Sequence, residues 1–236
     1  MQWRGASPKL EEAPAGSLAA RLEKITRDTV ALVPAERLQP PLREIERLQA
    51  EELAGRALHI GDRAPDFELP DHSGKSLRSG DLLVRGPLVV SFFRGRWDPY
   101  CMTELAAWKA AWPQLQEAGA SLVAISPQTP KHANLVFQQH VTPFPILSDA
   151  GNAVARRFGI VYRVSDEMRA HFQSILINLK PYNGDDSWEL PLPATFAIAP
   201  EGVIVYAHAD EDPRRRAEPA DVISVLRQLA SPPHSA

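Results

Sequence analysis

Cysteine is almost absent from this chain, which carries a single one, Cys101, among its 236 residues. A lone cysteine excludes an intramolecular disulfide and favours a cytoplasmic location, while a disulfide between two chains stays open. Long apolar runs are also absent: no stretch of about 18 apolar residues exists, so no membrane span is predicted. Residues 1–16 lack the apolar segment of a secretory signal and are predicted to be a loose tail.

Several other kinds of site are missing from the sequence. The net charge is −3, without the basic excess that nucleic-acid-binding proteins carry. No Gly-x-Ser-x-Gly elbow of a serine hydrolase and no glycine-rich phosphate loop occurs. His132 and His140 are too far apart to share one helical metal-binding face, and no second cysteine completes a zinc site. We therefore expect no cofactor, no metal, no nucleic acid and no membrane among the partners.

The only cysteine lies in a stretch, residues 92–105, where a predicted buried strand turns into a predicted helix. A helix start offers free backbone N–H groups and the positive end of the helix dipole, and both favour the thiolate form of a cysteine. With Asp98 as the N-cap and Pro99 as the first helical residue, Cys101 becomes the third residue of the helix. The pattern favours a reactive thiol, and the alternative is a small, inert, buried side chain.

Apolar segments of strand character alternate with helical patterns through the middle of the chain. The strand segments are 88–93, 120–126 and 144–147, and the helical segments are 100–117, 131–140 and 152–158. This alternation predicts an α/β protein with parallel strand pairs. Two later segments, 194–199 and 203–208, flank a Pro-Glu-Gly turn and predict a hairpin, so we expect a mixed central sheet flanked by helices. A last helix is predicted from Pro219.

Two amphipathic helices are predicted ahead of this domain. The first begins after the N-cap Ser17, and the second opens at Pro40 and Pro41. Short amphipathic helices are marginal alone, so their apolar sides must pack either on the main domain or on a second subunit. The predicted organisation is a tail with a helical extension at 1–57, followed by one domain at 58–236.

Residues 161–193 follow no single pattern. Their middle, 168–179, is predicted to be helical, and a polar, glycine-containing loop follows it at 181–188. An insert of this size just before a buried strand is predicted to form a wall or a lid over the site.

Several segments resemble the peroxiredoxin-like branch of the alkyl hydroperoxide reductase and thiol-specific antioxidant (AhpC/TSA) family. Residues 61–67, Gly-Asp-Arg-Ala-Pro-Asp-Phe, are similar to its Gly-x-x-Ala-Pro-x-Phe start, and 92–105 are similar to its active-site loop. Two later motifs of the branch resemble 188–195 and 216–219. The resemblance covers about 58–229 and implies a thioredoxin-like fold with Cys101 at the peroxidatic position.

The chain departs from the family motif beside the cysteine. Asp98 stands where the branch has its first cysteine, so no Cys-x-x-Cys pair forms. In the better-known peroxiredoxin motif, Arg94 takes the place of a proline and Asp98 that of a threonine, and Pro193 stands where an activating arginine usually lies. Asp98 is therefore a helix cap, a like charge that raises the pKa of Cys101, or a general base.

The remaining candidate site residues are assigned around Cys101. Arg94 and Arg96 are candidates to replace the missing arginine, each with an exposed surface position as the alternative. The resemblance adds Arg216, although a run of charges before a helix is more often solvated. The residues predicted to contact substrate are Trp97, Pro99, Tyr100, Trp188 and Arg216. For Trp97 and Tyr100 the alternative is ordinary core packing.

The resemblance implies a one-cysteine thiol peroxidase, expected as a cytoplasmic homodimer. The Cys101 thiolate would reduce hydrogen peroxide or an organic hydroperoxide, become sulfenic acid, and be restored by an external thiol such as thioredoxin or a small thiol. One alternative is a redoxin-fold binding or regulatory protein without peroxidase activity, which predicts a Cys101 pKa near or above the free value of about 8.5. The other is a thiol–disulfide oxidoreductase that works through mixed disulfides.

Overall fold

The computed structural model describes residues 16–230, and the predicted tail lies outside the described residues except for Gly16. In chain order the elements are α1 (Leu18–Leu32), α2 (Ala35–Ala50), β1 (Glu68–Pro70), β2 (Ser76–Arg78), α3 (Ser79–Leu83), β3 (Leu88–Phe92), α4 (Pro99–Glu117), β4 (Ser121–Ser126), α5 (Pro130–His140), β5 (Ile146–Ser148), α6 (Ala153–Arg157), β6 (Val161–Arg163), α7 (Asp166–Ser174), α8 (Leu179–Asn183), β7 (Glu189–Pro191), β8 (Ala194–Ile198), β9 (Ile204–Ala209) and α9 (Pro219–Ala230). Short 3₁₀ turns occur at Ala54–Arg56 and Ala150–Asn152.

A five-stranded sheet in the order β5-β4-β3-β8-β9 forms the centre of the protein. The pairs β3–β4 and β4–β5 are parallel, whereas β3–β8 and β8–β9 are antiparallel. The mixed sheet and the hairpin between β8 and β9 are thus confirmed. Strand β3 is central, with Val90 opposite Val123 of β4 on one side and opposite Phe196 of β8 on the other.

Strand β3 is buried on both faces, which is why its sequence is apolar at every position except Ser91. Leu88, Val90 and Phe92 point into one apolar cluster, and Val89 points into a second cluster on the opposite face. Cys101 belongs to this second cluster, which α4 and α9 cover. The cysteine therefore lies between the sheet and the helices, at the end of β3 where the chain turns into α4.

The two N-terminal helices pack on the main domain. Helix α1 begins after Ser17, whose Oγ accepts a 3.2 Å hydrogen bond from the Ala20 N–H, as predicted. Its buried residues Leu18 and Leu22 pack against Ala107 of α4. Of the two predicted alternatives, packing on the parent domain is the arrangement that the structure shows.

The predicted start of the second helix is wrong. Helix α2 begins at Ala35, and Pro40 and Pro41 lie inside it. A proline inside a helix removes one backbone donor and usually breaks the helix, so packing of α2 against α7 must outweigh this local cost. Glu44 is part of that packing, because its carboxylate accepts the backbone N–H of Ser165 at 3.1 Å, immediately before α7.

The segment 161–193 is more ordered than its sequence suggests. Its ends pair as the antiparallel strands β6 and β7, and helices α7 and α8 lie between them. The predicted helix at 168–179 is replaced by α7, which ends at Ser174, and by α8, which starts at Leu179. Residues of this segment form a wall beside the Cys101 site, as described below.

Across residues 16–230, no helix is both long enough and apolar enough to cross a membrane. The proposed boundary between 57 and 58 stays a prediction. The segment before it is tied to the main domain, since the Ala54 N–H donates to a carboxylate oxygen of Glu211 at 2.7 Å.

Candidate active site

Cys101 is the third residue of α4, as predicted, and it is fully buried. Asp98 is the N-cap of the helix: its Oδ1 accepts the Tyr100 N–H at 2.9 Å, and Pro99 occupies the first helical position. The sequence Asp-Pro specifies this start because aspartate accepts the free N–H groups of the first turn and proline has no N–H to lose. The start of α4 thereby places the sulfur at the end of β3.

The second oxygen of Asp98 contacts the sulfur. The Cys101 Sγ–H donates to Asp98 Oδ2 across 2.8 Å. The same oxygen accepts from Nε of Arg94 at 2.8 Å and lies 2.7 Å from its Nη2. Asp98 is thus both a helix cap and the direct neighbour of the thiol, two roles that the sequence presented as alternatives.

Two groups with positive character face the sulfur. The backbone N–H of Arg94 donates to Sγ at 3.4 Å, and Nη2 of Arg216 lies 3.5 Å from Sγ. The Arg216 side chain is only 1% exposed, so the expectation that the charge run before α9 is solvated is wrong at this residue. The sequence has Pro193 where the family usually has its activating arginine. In the structure, Arg216 from the loop before α9 takes the place of that arginine beside the sulfur.

Arg216 is held by Glu104, a residue that the sequence analysis missed. The Nη1 atom of Arg216 forms a short ion pair with Glu104 Oε2, and its Nε donates to the Pro213 carbonyl at 2.8 Å. The other oxygen of Glu104 lies 3.4 Å from the hydroxyls of both Ser91 and Thr195. The available signal in the sequence was a lone carboxylate one turn after the cysteine, within the apolar stretch of α4. The structure buries Glu104, and a glutamate is rarely buried unless it is paired.

The surroundings of Cys101 favour the protonated thiol. Burial first, and then Asp98, raises the pKa of Cys101 to about 12, and Arg216 and Arg94 oppose the rise without cancelling it. Burial alone would raise the pKa of Asp98, but Arg94 and Arg216 outweigh burial and lower it. The resting pair is therefore a thiol hydrogen-bonded to a carboxylate. Because burial is the largest cause, water or substrate reaching the sulfur would lower the pKa of the thiol.

Not every predicted residue reaches the sulfur. The Arg96 guanidinium donates to Gln139 of α5 at 2.9 Å, so the structure does not bring Arg96 to Cys101. Trp188 is buried in the core, with the Arg169 guanidinium 4.8 Å above its ring, and does not line the site as predicted. Both side chains are directed by neighbouring helices, whose positions the local sequence does not reveal.

Three of the predicted contact residues line a cavity of about 290 Å³ beside the site: Trp97, Pro99 and Tyr100. Arg94 and Asp98 also face this cavity. Trp97 packs edge-on against Phe172 of α7, with ring centroids 5.1 Å apart. Helices α1 and α2, the segment 161–193 and the loop before α9 supply the remaining walls, so that segment forms a wall of the cavity next to Asp98. Within residues 16–230, no group of three His, Cys, Asp or Glu side chains is arranged to hold a metal ion.

The sequence is similar to characterised families of known proteins. The model of the AhpC/TSA family matches residues 60–207. The putative peroxiredoxin bcp of Coxiella burnetii is 32% identical over 106 residues, which cover 44% of this chain and 69% of that protein. The chloroplastic peroxiredoxin Q of Populus jackii is 30% identical over 100 residues, which cover 42% of this chain and 46% of that protein. The match therefore spans less than half the length of the plant relative.

Solved structures share the fold. Peroxidoxin BcpB from Mycobacterium tuberculosis superposes with a TM-score of 0.58 at 24% identity, covering 74% of this chain and 99% of that one. The bacterioferritin comigratory protein of Xanthomonas campestris gives a TM-score of 0.54 at 20% identity, covering 70% and 92%. At these identities the structures support the thioredoxin-like fold alone. The family model and the peroxiredoxin relatives together show that the chain belongs to the AhpC/TSA family and is a thiol-dependent oxidoreductase of the peroxiredoxin type.

Proposed function

We propose that this protein is a one-cysteine thiol peroxidase that reduces hydroperoxides at Cys101. The observation that carries the proposal is the set of contacts at the sulfur: Asp98 at 2.8 Å, the Arg94 N–H at 3.4 Å and the Arg216 guanidinium at 3.5 Å. Attack on a peroxide requires a group that takes the proton of the thiol and groups that stabilise the developing negative charge. The proton acceptor and the two hydrogen-bond donors around this sulfur meet both requirements.

The first step begins with a proton transfer from Cys101 to Asp98. The resulting thiolate attacks the terminal oxygen of the hydroperoxide, forming the S–O bond while the O–O bond breaks. The departing alkoxide, or hydroxide from hydrogen peroxide, takes the proton from Asp98 and leaves as alcohol or water. The thiol and the hydroperoxide thus become sulfenic acid and alcohol, and Asp98 returns to its charged form.

Arg216 and Arg94 stabilise the negative charge that develops during this step. Arg216 is pre-positioned by Glu104, and Arg94 is pre-positioned by Asp98. Donors that are already fixed around a buried sulfur need no reorganisation as the charge moves from sulfur to oxygen. This arrangement accounts for the buried Arg216 guanidinium beside the thiol and for Arg94, whose backbone N–H reaches the sulfur while its guanidinium holds Asp98.

The sulfenic acid must be reduced from outside, because the chain has no second cysteine. An external thiol forms a mixed disulfide with Cys101 and releases water, and a second thiol then frees Cys101 as a disulfide of the reductant forms. Thioredoxin or a small thiol is the proposed reductant class. A homodimer in the cytoplasm completes the proposal. Light scattering of the purified protein tests the dimer, and localisation of the tagged full chain tests the compartment.

One observation favours a second function. The pKa of Cys101, raised first by burial and then by Asp98, is what a redoxin-fold binding or regulatory protein without peroxidase activity predicts. A thiol–disulfide oxidoreductase gains no such support, since no partner cysteine exists in the chain.

The decisive experiment mixes reduced protein with hydrogen peroxide or an organic hydroperoxide and follows peroxide loss and the mass of the protein. The proposed function predicts stoichiometric peroxide loss and one added oxygen on Cys101, both abolished by Cys101→Ser. Peroxide loss that is equal in the Cys101→Ser variant, or no loss at all, would overturn the peroxidase. In that case a thiol pKa above the free value, measured by alkylation against pH, would support the regulatory function.

A further inference from the structure

The sequence Arg216-Ala217-Glu218-Pro219 contains one charged residue that has no role in the steps above, Glu218. We propose that Glu218 is a positioning residue: it fixes helix α1 across the starts of α4 and α9, and thereby holds Arg216 beside the sulfur of Cys101. This inference rests on the proposed function. It assigns a role in the reaction to a residue and a helix that both lie outside the family match of residues 60–207.

Glu218 joins the starts of two helices. Its backbone carbonyl accepts the N–H groups of Asp221 at 3.1 Å and of Val222 at 3.3 Å in the first turn of α9. Its two carboxylate oxygens accept the N–H groups of Leu18 at 3.0 Å and of Ala19 at 2.8 Å in the first turn of α1. The first N–H groups of a helix have no partner within the helix, and the positive end of the helix dipole favours a carboxylate there. The side chain of one residue thus attaches α1 to the start of α9.

Helix α1 also holds the start of α4. The Tyr100 hydroxyl lies 3.1 Å from Oγ1 of Thr26, and Nη2 of Arg21 donates to the Thr103 carbonyl at 3.4 Å. The buried leucines of α1 pack on Ala107. Tyr100 and Ala107 are seven residues apart and therefore lie on the same side of the helix. Helix α1 thus covers the outer side of the first turns of α4, whose other side carries the thiol.

Three consecutive residues connect α1 to the sulfur. Nη2 of Arg216 lies 3.5 Å from Sγ of Cys101, and Ala217 is buried in the apolar cluster that contains Cys101. Glu218 follows directly and caps α1. Consecutive Cα atoms are about 3.8 Å apart, so a displacement of Glu218 with α1 reaches Arg216 within two residues. Glu104 fixes the guanidinium end of Arg216, and Glu218 fixes the backbone end.

The first test follows single-turnover oxidation of Cys101 by hydrogen peroxide, which needs no reductant. Glu218→Ala removes both acceptors at α1 and should lower the rate constant by about 10- to 100-fold, because a misplacement of about 1 Å can have an effect of that size. Glu218→Gln keeps one acceptor oxygen and should have an intermediate rate constant. Asp221→Asn is the matched control, since it removes an exposed carboxylate from the same helix start and should leave the rate constant unchanged. Equal rate constants in all four proteins would overturn the proposal.

A double-mutant cycle separates the positioning of Arg216 from a general loss of structure. In the variant Arg216→Met/Glu104→Gln the guanidinium is already absent, so adding Glu218→Ala should lower the rate constant by less than about twofold. Residues that act through one another give such non-additive effects, whereas the effects of independent residues add. A further loss of about 10- to 100-fold in this background would show that Glu218 does not act through Arg216, and would overturn the proposal.

Hydrogen exchange, measured by mass spectrometry on the full-length proteins, does not depend on turnover. Glu218→Ala should speed the exchange of backbone amides in α1, in 98–105 and in 212–218, and should leave β4 unchanged. Faster exchange that is limited to α1, or no change at all, would overturn the proposal. If the unsubstituted protein consumes no peroxide, the proposed function fails, and the exchange pattern still decides whether Glu218 couples α1 to the surroundings of Cys101.

Discussion

The Sγ atom of Cys101 lies 2.8 Å from Oδ2 of Asp98, and the thiol donates its hydrogen to that carboxylate. The two groups belong to the same helix start, so their distance is set by the backbone of the first turn of α4. A thiol and a carboxylate this close titrate as a coupled pair. The reactivity of Cys101 therefore depends on where one shared proton lies.

Asp98→Asn separates the charge of Asp98 from its role as a helix cap. Asparagine is an equally good N-cap, so α4 should start at the same residue. The thiol pKa of Cys101 should fall, because a negative charge beside it is removed. The rate constant for hydroperoxide should nevertheless fall by about 10²–10⁴, the usual contribution of a general base.

Stopped-flow oxidation and alkylation against pH measure these two quantities, with thermal unfolding as a check because the variant leaves Arg94 without its carboxylate partner. Asp66→Asn, at an exposed aspartate, is the control and should change neither quantity. A faster reaction in Asp98→Asn would show that Asp98 only restrains the thiol.

Variants of the Arg216–Glu104 pair separate the contribution of Arg216 to the reaction rate from its contribution to stability. Arg216→Met leaves Glu104 as an unpaired buried carboxylate and should lower the free energy of unfolding by about 3–5 kcal/mol. The double variant Arg216→Met/Glu104→Gln removes both charges and should recover most of this stability. It should remain about 10²–10³ slower with hydroperoxide, because the donor beside the sulfur is still missing.

Denaturant unfolding and single-turnover oxidation are measured on the same samples. Recovery of both stability and rate in the double variant would mean that Arg216 is only a structural partner of Glu104.

The pKa of Cys101 makes the stability of the protein dependent on pH in the alkaline range. This pKa is raised from 9.0 to about 12, so above pH 9 the unfolded chain loses a proton that the folded chain keeps. Stability from the thiol is fully present below pH 9 and should fall by about 1.4 kcal/mol per pH unit above it. Denaturant unfolding at pH 8 to 11 measures the decline.

Cys101→Ala is the reference for this measurement, because it lacks the thiol but keeps every lysine, tyrosine and arginine. The difference in free energy of unfolding between the two proteins should be constant below pH 9. Above pH 9 it should shift in favour of the alanine variant. Parallel curves up to pH 11 would show that the thiol is not buried in the way described.

Gly159 tests the contact between the N-terminal segment and the main domain. A Cβ at this position would lie 2.1 Å from the Arg56 carbonyl oxygen, and the residue has a φ of +75°. Gly119 has a similar φ of +70° with no atom within 4 Å of a built Cβ. Gly119→Ala should therefore cost about 1 kcal/mol from the backbone alone, and Gly159→Ala about 1–3 kcal/mol more from overpacking. Equal losses of stability in the two variants, measured by thermal unfolding, would contradict the close approach of Gly159 to the Arg56 carbonyl.

The local features of this protein follow from short stretches of its sequence. Asp98 and Pro99 specify the start of α4 through the capping oxygen and the missing N–H, and thereby place Cys101 in the first turn. The apolar run of β3 specified a buried central strand, since only a strand covered on both faces has no polar alternation. The turn between β8 and β9 specified the hairpin and hence a mixed sheet.

The groups that meet at the sulfur from distant parts of the chain are brought together by tertiary packing. Arg216 is separated from Cys101 by 115 residues and reaches it because α9 packs against α4. Helix α2 runs through Pro40 because packing on α7 outweighs the cost of the prolines, which no local rule predicts. The protonation of Cys101 was likewise open, since burial is its largest determinant and burial is a property of the whole fold. The start of α4 depends on adjacent residues and can be predicted from them. The charges around the thiol come from segments that meet only when the chain folds.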